Sequence, residues 1–289
     1  MNRQGNTPIK IAVASGKGGT GKTTVATNLV IAAARAGNNA VYADCDVEEP
    51  NGHIFLKPVL DDKRTATMLY PEIDENACTS CGKCAEICQF KAIVMIGDKP
   101  LVFPEMCHDC AGCYVVCPAD AVKLIERPIG VVESGKSGDV AFIHGKLDIG
   151  QIMSPPLIRK VKQGIPTGDT IVVDCPPGTS CPVIEAVRDA DYSVLVTEPT
   201  PFGLHDLKLA VGVLEELSIP FGVFINRSDI GTGETKSFCE KRSIPVLAEL
   251  PDDRRIAEAY SRGECALDVL PEYGELFGAL LKTVKNKGG

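Results

Sequence analysis

The chain has 289 residues, room for one large domain or two smaller ones. Apolar residues make up 44% and charged residues 24%, ordinary globular usage that excludes a disordered chain. A formal net charge of −8 excludes a nucleic-acid-coating surface, and no run of 18 apolar residues exists to span a membrane. The opening segment MNRQGNTPIK lacks the apolar core of a signal peptide, so a cytoplasmic protein is expected. Thirteen cysteines in that compartment point to metal binding or redox chemistry rather than to disulfides.

In chain order, Ile9–Ala14 is a short apolar run ended by glycines and predicts a first strand. A helical stretch follows from Thr23 to Ala36, with Gly37 just past its end as a stop signal. Between them, ASGKGGTGKTT contains G-x-x-x-x-G-K-[ST] as Gly16, Gly21, Lys22 and Thr23. Such a loop wraps its backbone N–H groups around phosphates, which Cβ atoms would obstruct, and the helix N-terminus adds partial positive charge. Gly18, Gly19, Thr20 and Thr24 complete the expected cradle for ATP. Lys22 is expected to reach the β- and γ-phosphates, and the Thr23 hydroxyl to coordinate Mg²⁺. A second strand, Ala40–Ala43, leads into Asp44 and Asp46, and Asp46 is the better candidate to orient the attacking water.

Eight of the 13 cysteines then fall between Cys78 and Cys117. C-x-x-C-x-x-C-x-x-x-C occurs as Cys78, Cys81, Cys84 and Cys88, and recurs 29 residues later as Cys107, Cys110, Cys113 and Cys117. Ala92-Ile93 likewise recurs as Ala121-Val122, so two copies of one short unit are expected to form a pseudo-two-fold module. Soft thiolates in two such runs suit iron–sulfur clusters better than zinc. Residues 69–128 hold nine acids and five bases, a net of −4, so a partner docking there should present a basic face.

Further strands are predicted at Val140, Thr170, Tyr192, Phe221 and Ile244, with helical patterns between them, the clearest carrying Leu204, Leu207, Val211 and Leu214. The strand ending at Asp174 places a carboxylate where Mg²⁺ would be held through water. The fold class is therefore α/β, a mostly parallel sheet flanked by helices, plus an inserted small α+β domain. The expected boundaries are 1–68 and 129–289 for a discontinuous nucleotide-binding domain and 69–128 for the insert. Cys45, Cys175, Cys181, Cys239 and Cys265 are expected to be core or incidental thiols, and His108 a solvated loop residue. Leu276, Leu280 and Val284 sit at helical spacing and are expected to pack on the body rather than on a membrane.

With Lys17 as a second lysine, GKGGTGKTT resembles the deviant phosphate loop of the MinD/ParA/Mrp group of P-loop ATPases, to which the nitrogenase iron protein also belongs. The resemblance implies that Lys17 reaches across an ATP-bridged homodimer. DCDVEEPN resembles the group's first switch and DCPPGT, from Asp174, its second. INR at Ile225–Arg227 and the segment opening LPDD at Leu250 resemble the parts that hold the adenine, which implies roles for Asn226, Pro251 and Asp252. Residues 69–128 resemble a bacterial-type two-cluster ferredoxin. In that class the fourth cysteine of each run serves the other cluster. One [4Fe–4S] cluster is then implied on Cys78, Cys81, Cys84 and Cys117, and a second on Cys88, Cys107, Cys110 and Cys113. Together these features imply ATP-gated electron transfer to a redox partner. Iron–sulfur assembly or carriage is the alternative, and spatial positioning with redox sensing a third reading.

Overall fold

The computed structural model describes residues 8–288; residues 1–7, which hold most of the opening segment considered above, and residue 289 lie outside it. The strands are β1 (Ile9–Ala14), β2 (Ala40–Asp44), β3 (Val59–Ile73), β4 (Ile93–Ile96), β5 (Lys99–Val102), β6 (Val122–Ser137), β7 (Val140–Leu147), β8 (Thr170–Asp174), β9 (Tyr192–Thr197), β10 (Phe221–Asn226) and β11 (Val246–Leu250). Nine of them form one sheet in the order β11-β10-β9-β1-β8-β2-β7-β6-β3, while β4 and β5 pair separately. Neighbours from β11 to β7 are parallel, and β6 and β3 close the sheet antiparallel. Every strand expected from the apolar runs is present.

The helices are α1 (Lys22–Arg35), α2 (Gly52–Leu56), α3 (Lys83–Ile87), α4 (Gly112–Val115), α5 (Pro155–Gln163), α6 (Cys181–Val187), α7 (Pro201–Glu216), α8 (Glu234–Lys241), α9 (Arg254–Ser261), α10 (Ala266–Val269) and α11 (Gly274–Gly288). Helices cover both faces of the sheet, which is why β2 and β9 are buried along their whole length. Ile11 and Val13 of β1 pack on one face with Val25 and Leu29 of α1 and with Phe277, Leu280 and Val284 of α11. Ala12 and Ala14 point the other way, towards Leu157 of α5, Val183 of α6 and Leu207, Val211 and Leu214 of α7. The apolar side of the C-terminal helix is thus seated in the core of the body.

The strands β3 and β6 have no counterpart among the apolar runs of the sequence. They pair from Val59↔Lys136 to Ile73↔Val122 as one long ribbon, which runs through Leu69↔Glu126. Its sequence hides it: Asp61, Asp62, Lys63 and Arg64 break the apolar alternation of β3, and β6 contains Pro128, Gly130 and Gly135. Those glycines mark close backbone approach, since a Cβ would lie 2.3 Å from Lys146 O at Gly130 and 2.0 Å from Val59 O at Gly135. Residues 74–121 lie beyond the ribbon's far end, closed by the hydrogen bond from Asp74 N to Ala121 O at 2.8 Å. They contain α3, α4 and the β4–β5 hairpin.

Candidate functional site

Because the strands from β11 to β7 are parallel, their carboxyl ends share one edge, and the loops leaving β1, β2, β8, β10 and β11 meet there. An open cavity of about 360 Å³ occupies this edge. Gly18, Gly19, Gly21, Lys22, Thr23 and Thr24 line it from one side, Asp46 from the loop after β2, Asn226 from the end of β10, and Pro251 and Asp252 from the loop after β11. The structure therefore brings together four segments that are separate in sequence. Gly21 adopts φ +91° and caps α1, a helix rich in alanine whose chain turns away through Gly37 at φ +79°.

Gly16, Lys17, Thr20 and Asp174 stand outside this lining. Gly16 abuts α7: a Cβ there would lie 2.2 Å from the Asp206 carbonyl oxygen. Lys17 Nζ rests 3.9 Å from Glu198 Oε2, and Glu198 also binds the Arg227 guanidinium at 3.1 Å. Thr20 is buried, and its carbonyl accepts a 2.9 Å hydrogen bond from Asn226 Nδ2. Asn226, expected to read a base edge, braces the phosphate loop. The loop after β8 is tied in through Gly178 N, which donates to Ser15 O at 3.0 Å.

Asp174 is buried beside the loop. Its Oδ2 accepts from the Tyr42 hydroxyl at 2.8 Å, while Oδ1 has no hydrogen-bond partner among the described residues. Burial raises its pKa, with the Lys22 ammonium opposing. Asp44 is wholly buried and binds backbone instead: Oδ1 accepts from Asp46 N at 3.1 Å and Oδ2 from Gly52 N at 2.9 Å. Burial and the neighbouring Asp174 push its carboxyl well above the usual range. Asp46, half-buried in the cavity wall, is pushed up to about 6 by burial, with Lys22 opposing.

The cavity has further lining residues that the motif alone did not single out, among them Glu49, Pro177, Arg227, Ile256 and Tyr260. Ile256 and Tyr260 lie one turn apart on α9, a spacing visible in sequence but indistinguishable there from an ordinary core face.

In the cysteine-rich unit, Cys78, Cys81, Cys84 and Cys117 line one small cavity. Cys88, Cys107, Cys110 and Cys113 line another. In each, three cysteines of one run meet the last cysteine of the other. The 29-residue repeat extends to the backbone. Ser80 and Asp109 have φ of 57° and 55°, Gly82 and Ala111 of 75° and 56°, Lys91 and Asp120 of 55° and 48°. Cys88 Sγ accepts from Ala92 N at 3.2 Å, and Cys117 Sγ from Ala121 N at 3.3 Å. Left-handed residues at matched positions turn the chain around each cavity, a conformation that L side chains hold only under tertiary constraint. No group of three or more His, Cys, Asp or Glu among the described residues is arranged to hold a metal ion. His108 lies in a loop, partly exposed, and is stacked on Phe90 with ring centres 3.4 Å apart. Of the other thiols, Cys45, Cys175, Cys239 and Cys265 are buried and Cys181 is exposed.

A parallel α/β sheet with a phosphate loop between β1 and α1 defines a P-loop nucleotide-binding protein. The chain matches the CobQ/CobB/MinD/ParA nucleotide binding domain over residues 11–267 and belongs to that family. An uncharacterised protein of Methanocaldococcus jannaschii is 31% identical over 266 residues, covering 89% of this chain and 91% of its own. An iron–sulfur cluster carrier protein of Pyrococcus horikoshii is 26% identical over 308 residues, covering 97% and 89%. The septum site-determining protein MinD of Pyrococcus horikoshii, solved with Mg-ADP, shares the fold with a TM-score of 0.59 at 22% identity and 96% coverage of both chains. No helix among the described residues is long and apolar enough to cross a membrane.

Proposed function

We propose that this MinD/ParA-type ATPase hydrolyses MgATP as a homodimer and carries two [4Fe–4S] clusters in an inserted ferredoxin-type domain, residues 69–128, coupling its nucleotide state to electron transfer. The observation that carries the reading is the pair of cysteine-lined cavities, each with the crossed set of four thiols that a two-cluster ferredoxin uses. A cubane takes each thiolate on a different iron, so its cysteines ring a cavity rather than converge on one point. Backbone N–H groups of Ala92 and Ala121 donate to the sulfurs of Cys88 and Cys117, the kind of hydrogen bond that tunes a thiolate-ligated cluster. When bound, the clusters supply one-electron transfer.

On the ATPase side, the loop Gly16–Thr24 binds the phosphates through backbone N–H groups, and Lys22 neutralises their charge. The unpartnered Oδ1 of buried Asp174 and the Thr23 hydroxyl fit Mg²⁺, the carboxylate acting through water. The ion supplies charge neutralisation on the phosphates. Asp46 orients the attacking water, Lys17 leaves Glu198 to act across the dimer, and Asn226, Pro251 and Asp252 hold the base. The sheet offers a path for this coupling. Asp174, Asp44, His144, Glu133 and Lys63 stand in lateral register on five adjacent strands, from the nucleotide edge to the ribbon. Glu133 joins the last three, 3.1 Å from His144 Nε2 and 3.0 Å from Lys63 Nζ.

The acceptor docks on the acidic unit with a basic face. A second reading, cluster carriage to an apo-protein, is favoured by the name of the Pyrococcus relative. Anaerobic EPR-monitored redox titration with and without MgATP tests the coupling. A shifted midpoint or a changed rate of acceptor reduction is expected. Identical midpoints and rates would refute it, and clusters lost to an apo-acceptor on ATP turnover would favour carriage.

A further inference from the structure

The molecule contains a wholly buried tyrosine that the apolar core does not require. Tyr42 lies in the middle of β2, 0% exposed, its ring stacked on Phe142 at 5.7 Å and 11°. A phenylalanine would fill that volume equally well. The hydroxyl is instead spent on one bond, donated to Asp174 Oδ2 at 2.8 Å. A buried hydroxyl without such a use would destabilise the core, because it would lose its water and gain nothing.

The ring also meets the backbone that follows β2. A Cβ on Gly52 would lie 2.4 Å from both Cε1 and the hydroxyl oxygen of Tyr42, so only glycine allows this backbone to rest on the ring. Gly52 N donates to Asp44 Oδ2, and Asp44 Oδ1 holds Asp46 N. One aromatic ring thus touches the carboxylate after β8 and supports the loop that carries Asp46.

We infer that Tyr42 is a positioning residue for the metal carboxylate: its hydroxyl occupies Asp174 Oδ2 and turns Oδ1 towards the phosphate loop, while its ring ties that orientation to the Gly52 end of the Asp46 loop. The inference rests on the MgATP reading of the site. It predicts that Tyr42 acts on the metal and not on the nucleotide as such.

Tyr42→Phe removes the oxygen and keeps the ring packing. The experiment measures binding of a fluorescent ATP analogue to the full-length protein, first in EDTA and then across a range of Mg²⁺ concentrations. The Mg²⁺ concentration for half-maximal enhancement is expected to rise about tenfold, as loss of one hydrogen bond to a charged group implies. Affinity in EDTA is expected to stay within about twofold of wild type, which also shows the variant folded. An unchanged Mg²⁺ requirement, or an equal loss with and without Mg²⁺, would overturn the inference. A wild type whose binding ignores Mg²⁺ would instead overturn the reading of the site on which the inference rests.

Discussion

Gly16→Ala separates two reasons for a glycine in the phosphate loop. The motif explains its glycines by the approach of phosphates, yet Gly16 is packed against protein. An added Cβ would lie 2.2 Å from Asp206 O, 2.5 Å from Asp206 C and 2.7 Å from Asp206 Cβ, whereas real Cβ contacts stay above 3.0 Å. The loop and α7 must therefore part by about 0.8 Å, and no rotamer change relieves contact with helix backbone. Overpacking of this kind costs about 1–3 kcal/mol, which lowers Tm by roughly 2–10 °C in a chain of this size. The displaced loop carries Lys17 and Lys22 with it, and a shift near 1 Å in a positioning group costs roughly 10²-fold in rate. Thermal unfolding without nucleotide and steady-state ATPase assays measure both effects. Gly18→Ala is the stability control, because its nearest neighbour is Pro177 Cβ at 4.0 Å. A Gly16→Ala protein no less stable than Gly18→Ala would refute the packing argument.

Asp46→Asn is expected to lower kcat about 10²-fold with little change in KM, as loss of a water-orienting carboxylate implies. Burial raises Asp46 to about 6 in the fold, so the folded chain holds a proton that the unfolded chain releases above about 4. The stability this proton contributes is full below that range and is lost as the pH rises through 6. Solvent contact trims the full linkage value of about 3 kcal/mol, and wild type should lose about 1–2 kcal/mol relative to Asp46→Asn between pH 4 and 7. Urea melts across that range check this, and a constant gap between the two proteins would contradict it. The crossed sets make a separate prediction. Cys117→Ser should perturb the same EPR signal as Cys84→Ser, and Cys88→Ser the same signal as Cys113→Ser. Spectra in which Cys117→Ser instead matches Cys113→Ser would rule out the crossing.

The parallel body was legible because its strands are buried on both faces and so read as unbroken apolar runs, such as Thr170–Asp174 and Tyr192–Thr197. The phosphate loop was legible because its chemistry fixes residue types at fixed spacing. The β3–β6 ribbon was not, since it forms the sheet's edge and tolerates charges at Asp61–Arg64, glycines and prolines that a central strand would exclude. Asn226 could be placed by resemblance, but its bond to Thr20 O depends on β10 and the loop after β1 meeting in space. The same holds for Tyr42 and Asp174, which are 132 residues apart and become partners through the pairing of β2 with β8. The cysteine spacing suggested which thiols belong together. The matched left-handed residues, from Ser80 and Asp109 to Lys91 and Asp120, emerge only from the backbone.

The most direct test of the central claim is the iron and acid-labile sulfide content of the full-length protein, purified or reconstituted without oxygen. Two clusters on the eight cysteines of residues 78–117 predict about eight iron and eight sulfide per chain. The Cys84→Ser, Cys113→Ser double variant should hold well under half of that. Zinc in place of iron, or a wild-type content of four iron or fewer per chain after full reconstitution, would contradict the account.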